Sequence, residues 1–303
     1  QSVIADYFPP EKRATAMSVF LRAPPIGAFI GAAGGGWIGQ ELGWRSAFLI
    51  ATVPGALLAL AAWLLIAEPP RARFDREASS EVPSILAVLG RLLGLPSARH
   101  LLAGSTLASL VGFGLNGFFT FLLVRKFGMS LAQAAFFSAL LGSLPGAVSV
   151  LLGGKLADRF GPARPGLYAA IPGWCLVLAA PIYVFAITRG SAPLLLALVF
   201  VAALFQYTYL GVTYGVFQNL LHSRMRATGS ALLNGIYTLV GQGLGALLVG
   251  ALSDRLAPRY GSADGLAYAM AITAAIYLWA AAHYLLAARH VGPDLARVRA
   301  GEE

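Results

Sequence analysis

The stretch "GGKLADRFG" (Gly153–Gly161) closes a long apolar run, and "GGWIGQELG" (Gly35–Gly43) closes another. The two share glycines at their first, second and last positions. If both runs cross a membrane, the first copy in the chain ends outside and the second ends inside. One helix end recurring on opposite sides of a bilayer is the mark of an inverted repeat. A third, looser copy, "GALSDRL" (Gly250–Leu256), falls outside again.

The composition supports the membrane premise. Of 303 residues, 58% are hydrophobic and 12% charged, and the mean hydropathy is +0.72. A soluble domain carries about 25% charge. The apolar residues fall in runs of roughly 20, the length that spans hydrocarbon as a helix. Outer-membrane strands alternate over about ten residues, and these runs do not. The expected fold is therefore an all-α integral membrane bundle.

Eight spans are expected: 14–38, 44–67, 101–124, 132–156, 167–187, 193–221, 227–252 and 266–288. The connection from Glu68 to Arg99 is polar and rich in proline, and its second half, 83–95, reads as a short interfacial helix. Fifteen of the 22 Lys and Arg residues fall on one side of this layout. By the positive-inside rule that side is cytoplasmic, and both chain ends and the long connection face it. The net charge of +9 is thus assigned to loops and lipid headgroups and not to nucleic acid. Cys175 is alone, and His100, His222, His283 and His290 are scattered without ligand spacing, so no metal or cofactor is expected. No catalytic constellation stands out, and an enzyme is not expected.

A second repeat pairs "KRATAMSVF" (Lys12–Phe20) with "MRATGSALL" (Met225–Leu233), about 213 residues apart. Each opens a span. Helix-contact glycines follow: Gly27, Gly31 and Gly35 after the first, Gly241 and Gly245 after the second.

These residues resemble the major facilitator superfamily (MFS). Gly154, Asp158, Arg159 and Gly161 match its conserved-loop motif G-x-x-x-D-R-x-G, although Pro162 and Ala163 interrupt the basic residues that usually follow. The resemblance implies transmembrane helices five to twelve of a twelve-helix, two-bundle transporter. Residues 1–67 would end the N-terminal bundle, 68–99 would be the cytoplasmic linker, 100–290 the C-terminal six-helix bundle and 291–303 a cytoplasmic tail. The chain starts at Gln1, and an N-terminally truncated fragment is expected. Stretches such as "FLLVRKFGMSLAQAA" and "YLGVTYGVFQNLLHSRMRATGSAL" are similar to the spinster-like branch. That branch implies lysolipid or sphingoid cargo.

Polar residues inside the spans are the candidates for substrate contact. Ser105, Ser109, Asn116 and Thr120 step along one face of the third span. Tyr207, Tyr214 and Gln218 share a face of the sixth, with Gln206 and Thr213 nearby, and Asn234, Thr238 and Gln242 step by four in the seventh. Phe118, Phe119 and Phe217 would supply apolar walls. The resemblance places these faces on the cavity of the C-terminal half. Asp158 and Arg159 would sit at an inner gate.

No Asp or Glu lies within the eight spans, so coupling to H+ or another ion would rest on other helices, or the carrier is a uniporter. Arg22 lies roughly 12 Å inside its span at 1.5 Å per residue, where it either snorkels or pairs with an anion. The expected function is a secondary active transporter of a small amphipathic or organic-anion solute working by alternating access. The partners are the bilayer, the solute and a coupling ion. A monomer in the bacterial inner membrane is expected. Two alternatives stand beside it. A drug or metabolite proton antiporter would suit Gly27, Gly31 and Gly35, but Ser18 and Ala32 depart from the antiporter motif. A channel would require charge rings and a continuous pore.

Overall fold

The computed structural model describes residues 23–65, 84–189, 191–221 and 225–300. Arg22, the N-terminal repeat and most of the connection lie outside them. The described residues are helical throughout, with short turns between, and contain no strand. We number the helices α1 (Ala23–Glu41), α2 (Trp44–Leu65), α3 (Ile85–Gly94), α4 (Pro96–Phe127), α5 (Leu131–Phe160), α6 (Leu167–Arg189), α7 (Ala192–Gln206), α8 (Thr208–Leu220), α9 (Arg226–Ile236) and α10 (Gly245–Ala300). A π-helical segment, Tyr237–Leu244, joins α9 to α10.

Six stretches among the described residues are long and apolar enough to cross a membrane. One of them, Arg226–Val298, holds two of the expected spans. The chain breaks helical geometry at Gly261, where φ is 81° and ψ is 165°, a region open essentially to glycine. This divides α10 into a first arm, 245–260, and a second arm, 262–300. Helix α1 falls at the first expected span, whose start lies outside the described residues.

Local sequence explains most of the ends. Ser84 caps α3 by accepting from the amide of Ala87 at 3.2 Å. Pro96 opens α4, where a missing N–H costs nothing. Gly128 closes it in the left-handed conformation, φ 64°. The short helix expected at 83–95 is α3, and its Val88 and Leu92 are fully buried. The last ten residues before Ala300 continue the second arm of α10 as helix, with Val291 buried.

The chain divides into two compact units. The first contains α1, α2 and residues 131–143 of α5. Here Gly36 faces Ala135 so closely that a Cβ would overlap its methyl group. Gln40 Oε1 accepts from the amide of Ala132 at 3.0 Å, and Phe29 meets Phe136 edge-on. A Cβ on Gly27, Gly31 or Gly35 would meet no described atom within 4 Å.

The second unit contains the remaining helices. Its core is built on α4, which packs along both arms of α10, and on α6, which packs against α10 and α7. Backbones touch where glycine permits: a Cβ on Gly114 would lie 2.8 Å from the carbonyl oxygen of Gly245. Gly245 presses harder still on the carbonyl of Leu110, and a Cβ on Gly241 would lie 2.6 Å from Ser109 Oγ. Such small-residue contacts let two helices gain dispersion energy along their full length.

Two polar clamps hold α4 to the second arm of α10. Near its start, the amide and Oγ of Ser97 donate to buried Asp294 Oδ2 at 2.8 and 2.6 Å. A carboxylate there also faces the positive end of the α4 dipole. Near its other end, Lys126 Nζ lies 3.2 Å from Asp264 Oδ1 and donates to the carbonyl of Ile187 at 3.2 Å.

Candidate functional site

The polar residues of the second unit sort into two groups. One group is buried and spends its hydrogen bonds inside the bundle. Ser109 is 2% exposed and donates to the carbonyl of Thr106 at 2.9 Å. Thr213 is fully buried, with Oγ1 2.5 Å from Tyr284 Oη. Gln206 is buried and accepts from Tyr183 Oη through Oε1. Phe119 and Phe217 are buried as well, so they are core residues and not walls. Phe118 is half-buried, and a Cβ on Gly250 would touch its ring edge at 3.4 Å.

The other group stays accessible. Asn116 is exposed on α4, and its Nδ2 donates to Tyr207 Oη at 2.7 Å. Tyr207 occupies the joint between α7 and α8, where φ is −88° and ψ is 0°. The expected sixth span is therefore one bent element, and the bend presents this ring. Gly146 makes room for it, since a Cβ there would sit 3.1 Å from the ring. Tyr214 is half-buried on α8 and donates to Asn234 Oδ1 on α9 at 3.2 Å. Thr238 is exposed in the π segment and donates back to the carbonyl of Asn234 at 2.9 Å. Thr120 is half-buried on α4. Arg22 and the side chains of Gln218 and Asp158 lie outside the described residues.

Along α9 an apolar cleft of about 730 Å³ opens against the start of α3. Ile85, Ala227, Ala231, Leu232, Ile236 and Leu239 line it. The α9 positions form one stripe, and Asn234 lies on its flank, since each residue advances the helix by about 100°. A greasy recess and the hydrogen-bonding side chain of Asn234 thus share one helix.

At the end of α5, Gly153 is the residue that admits a neighbour: a Cβ would lie 2.7 Å from the carbonyl oxygen of Thr208. Gly154 has open space, and Gly161 is buried in the turn to α6. Arg159 is exposed, its guanidinium 5.6 Å from the ring centre of Phe160.

Three of the four histidines come together. His100, His283 and His290 meet at the α4–α10 interface, although 183 or more residues separate the first from the others. Only the antiparallel packing of α4 on the second arm of α10 makes this visible.

Residues 1–241 match the family model of the Major Facilitator Superfamily. The chain belongs to that superfamily. It is similar to an MFS-type efflux pump of Mycolicibacterium smegmatis (strain ATCC 700084 / mc(2)155), 28% identical over 295 residues, or 95% of this chain and 66% of the pump. It is also similar to the multidrug resistance protein MdtG of Citrobacter koseri (strain ATCC BAA-895 / CDC 4225-83 / SGSC4696), 29% identical over 166 residues, or 54% of this chain and 40% of that protein. The chain therefore spans less than two thirds of the length of these relatives. Among solved structures it resembles a bacterial homologue of the human lysosomal transporter Spinster in an inward-facing, unoccupied conformation. The TM-score is 0.83 at 28% identity, covering 97% of this chain and 74% of that one. The inward-facing, occupied form of the same kind of protein matches with a TM-score of 0.82. Family and fold point to a membrane transporter and not to an enzyme.

Proposed function

We propose that the protein is a secondary transporter of a small amphipathic solute, moved by alternating access, with a lysolipid-like molecule as the best-fitting cargo class. One observation carries the reading. Asn234, which accepts from Tyr214 of α8, lies on α9 beside the apolar cleft that the same helix lines. Amide and phenol groups orient a polar head, while a recess of this volume holds an acyl chain. Asn116, Tyr207 and Thr238 add donors and acceptors, and Gln218 and Arg22 are further candidate solute contacts by residue type. The resemblance of the sequence to the spinster-like branch, which implies lysolipid cargo, supports the same class. Asp158 and Arg159 serve as the inner gate, with Gly154 and Gly161 shaping its loop. Gly27, Gly31, Gly35, Gly241 and Gly245 serve as packing positions for the moving bundles. The units 1–67 and 100–290, joined by 68–99, act as the end of one bundle and the whole of the other. The 291–303 segment and both chain ends face the cytoplasm, and the transporter works as a monomer.

A second reading keeps the fold and changes the cargo. The efflux pump and the multidrug resistance protein favour a drug or metabolite antiporter. Proteoliposome assays of the protein with a fluorescent lysophospholipid and with ethidium separate the two. Lysophospholipid movement that falls at least tenfold in Asn234→Leu and Ala231→Trp supports the first reading. Ethidium transport with no lysophospholipid movement replaces it with the second.

A further inference from the structure

Three of the chain's four histidines occupy one spot that the cargo reading does not use. His100 lies one turn into α4, and His283 and His290 lie on the second arm of α10. The Nδ1 atoms of His100 and His283 are 3.0 Å apart. The ring of His290 lies nearly parallel to that of His100, at 13° and 6.3 Å between centres. Trp279 borders His283 at 6.3 Å.

A contact of 3.0 Å between ring nitrogens requires a proton between them. Two bare nitrogens would oppose their lone pairs, and two N–H groups would meet head to head. In the neutral pair, one imidazole therefore donates from Nδ1 and keeps a bare Nε2. The other accepts at Nδ1 and carries its proton on Nε2. One further proton has a place to go, the bare Nε2 of the donor ring, and there it strengthens the bond by charging the donor. A second has only the accepting Nδ1, and binding there destroys the bond.

The surroundings oppose that second proton. Arg99 adjoins His100 on α4, and His290 stacks on its ring from α10. Arg289 flanks His290, and α3 brings only Arg91. The sole charged residue of α6, Arg189, is at the far end of that helix. Asp294, one turn beyond His290, is committed to Ser97. Among the described residues no other carboxylate faces the pair.

We propose that His100 and His283 form a proton-binding site that ties α4 to the second arm of α10 with as many as one added proton and parts them with two. The site is an acid-sensitive latch at the end of the unit that carries the Gly154–Gly161 motif. By linkage the contact gains stability as the first proton binds and loses it as pH falls far enough for the second to bind.

Histidine-selective nitrogen NMR on the protein in nanodiscs, from pH 8 to 4.5, tests this together with thermal unfolding over the same range. His100 and His283 should titrate in two coupled steps. The second step should coincide with a fall in Tm of about 2–6 °C. His283→Gln should collapse the His100 titration to a single step and flatten that part of the Tm profile, whereas His222→Gln should change neither. Should His283→Gln not fold, His100→Gln reads the same coupling from the other ring. A His100 curve unmoved by the loss of its partner, or superimposable Tm profiles for the wild type and these variants, overturns the proposal.

Discussion

Gly114 and Gly117 lie one turn apart on α4, and the structure assigns them opposite sensitivities to the same added methyl group. A Cβ on Gly114 would sit 2.8 Å from the carbonyl oxygen of Gly245 and 3.1 Å from Val249 Cγ2. A Cβ on Gly117 would meet nothing within 4 Å. Both substitutions gain the same helix propensity, roughly 0.5–1 kcal/mol, so that contribution cancels between them. What remains is the overpacking at Gly114. The neighbour is backbone and cannot rotate aside, so α10 must shift by several tenths of an ångström and loosen the seam. Overpacking of this kind costs about 1–3 kcal/mol. At about 2–4 °C per kcal/mol for a chain of this size, Gly114→Ala should unfold about 2–12 °C below Gly117→Ala. Thermal unfolding of the two purified proteins in one detergent measures the difference. Equal midpoints would show that α4 and α10 do not touch along this seam.

Four further outcomes follow from the polar contacts and the turn. Thr213→Val should cost about 1–3 kcal/mol by leaving the buried Tyr284 hydroxyl unpaired, while the double variant Thr213→Val/Tyr284→Phe should regain most of it in thermal unfolding. The same double variant should retain transport in proteoliposomes, because neither hydroxyl faces open space. Asp294→Ala should cost about 1.5–3 kcal/mol and Ser97→Ala less, since the latter keeps the amide bond to the carboxylate; denaturant titration ranks the two. Gly261→Ala should cost about 1–3 kcal/mol through its backbone conformation alone, read as a lower midpoint in thermal unfolding.

The spans were legible because hydrocarbon leaves a chain few choices: apolar runs near 20 residues become helices, and Pro96, Gly128 and Gly261 mark ends that glycine and proline chemistry dictates. The packing glycines were legible in part. Gly241 and Gly245 make the expected close contacts, but in the first unit the glycine that does so is Gly36, next to the three expected. Spacing alone identifies a small-residue stripe without saying which member meets a partner. The break at Tyr207 has no proline or glycine beside it, and the π segment has a sequence that an α-helix would accept equally. Both are set by tertiary packing. The division of the polar residues was also hidden. Ser109 and Asn116 share a helical face, yet one abuts Gly241 and the other is exposed, because α4 passes out of contact with the π segment between them. The histidine pair depends on two helices far apart in the chain, which no local pattern reports.

The two clamps on α4 have a mechanical consequence. Ser97 and Lys126 are 29 residues apart, about 44 Å along the helix axis, and each is tied to the second arm of α10. A rod fixed to its neighbour at both ends, with glycine contacts between, neither slides nor twists independently. Helix α4 and the second arm of α10 are thus braced together as one spar. The joint at Tyr207 and the π segment depart instead from regular helical geometry. Tyr207, Tyr214 and Asn234, which we propose engage the solute, sit at or beside these irregular parts, so strain from a bound molecule would fall there before it reached the frame.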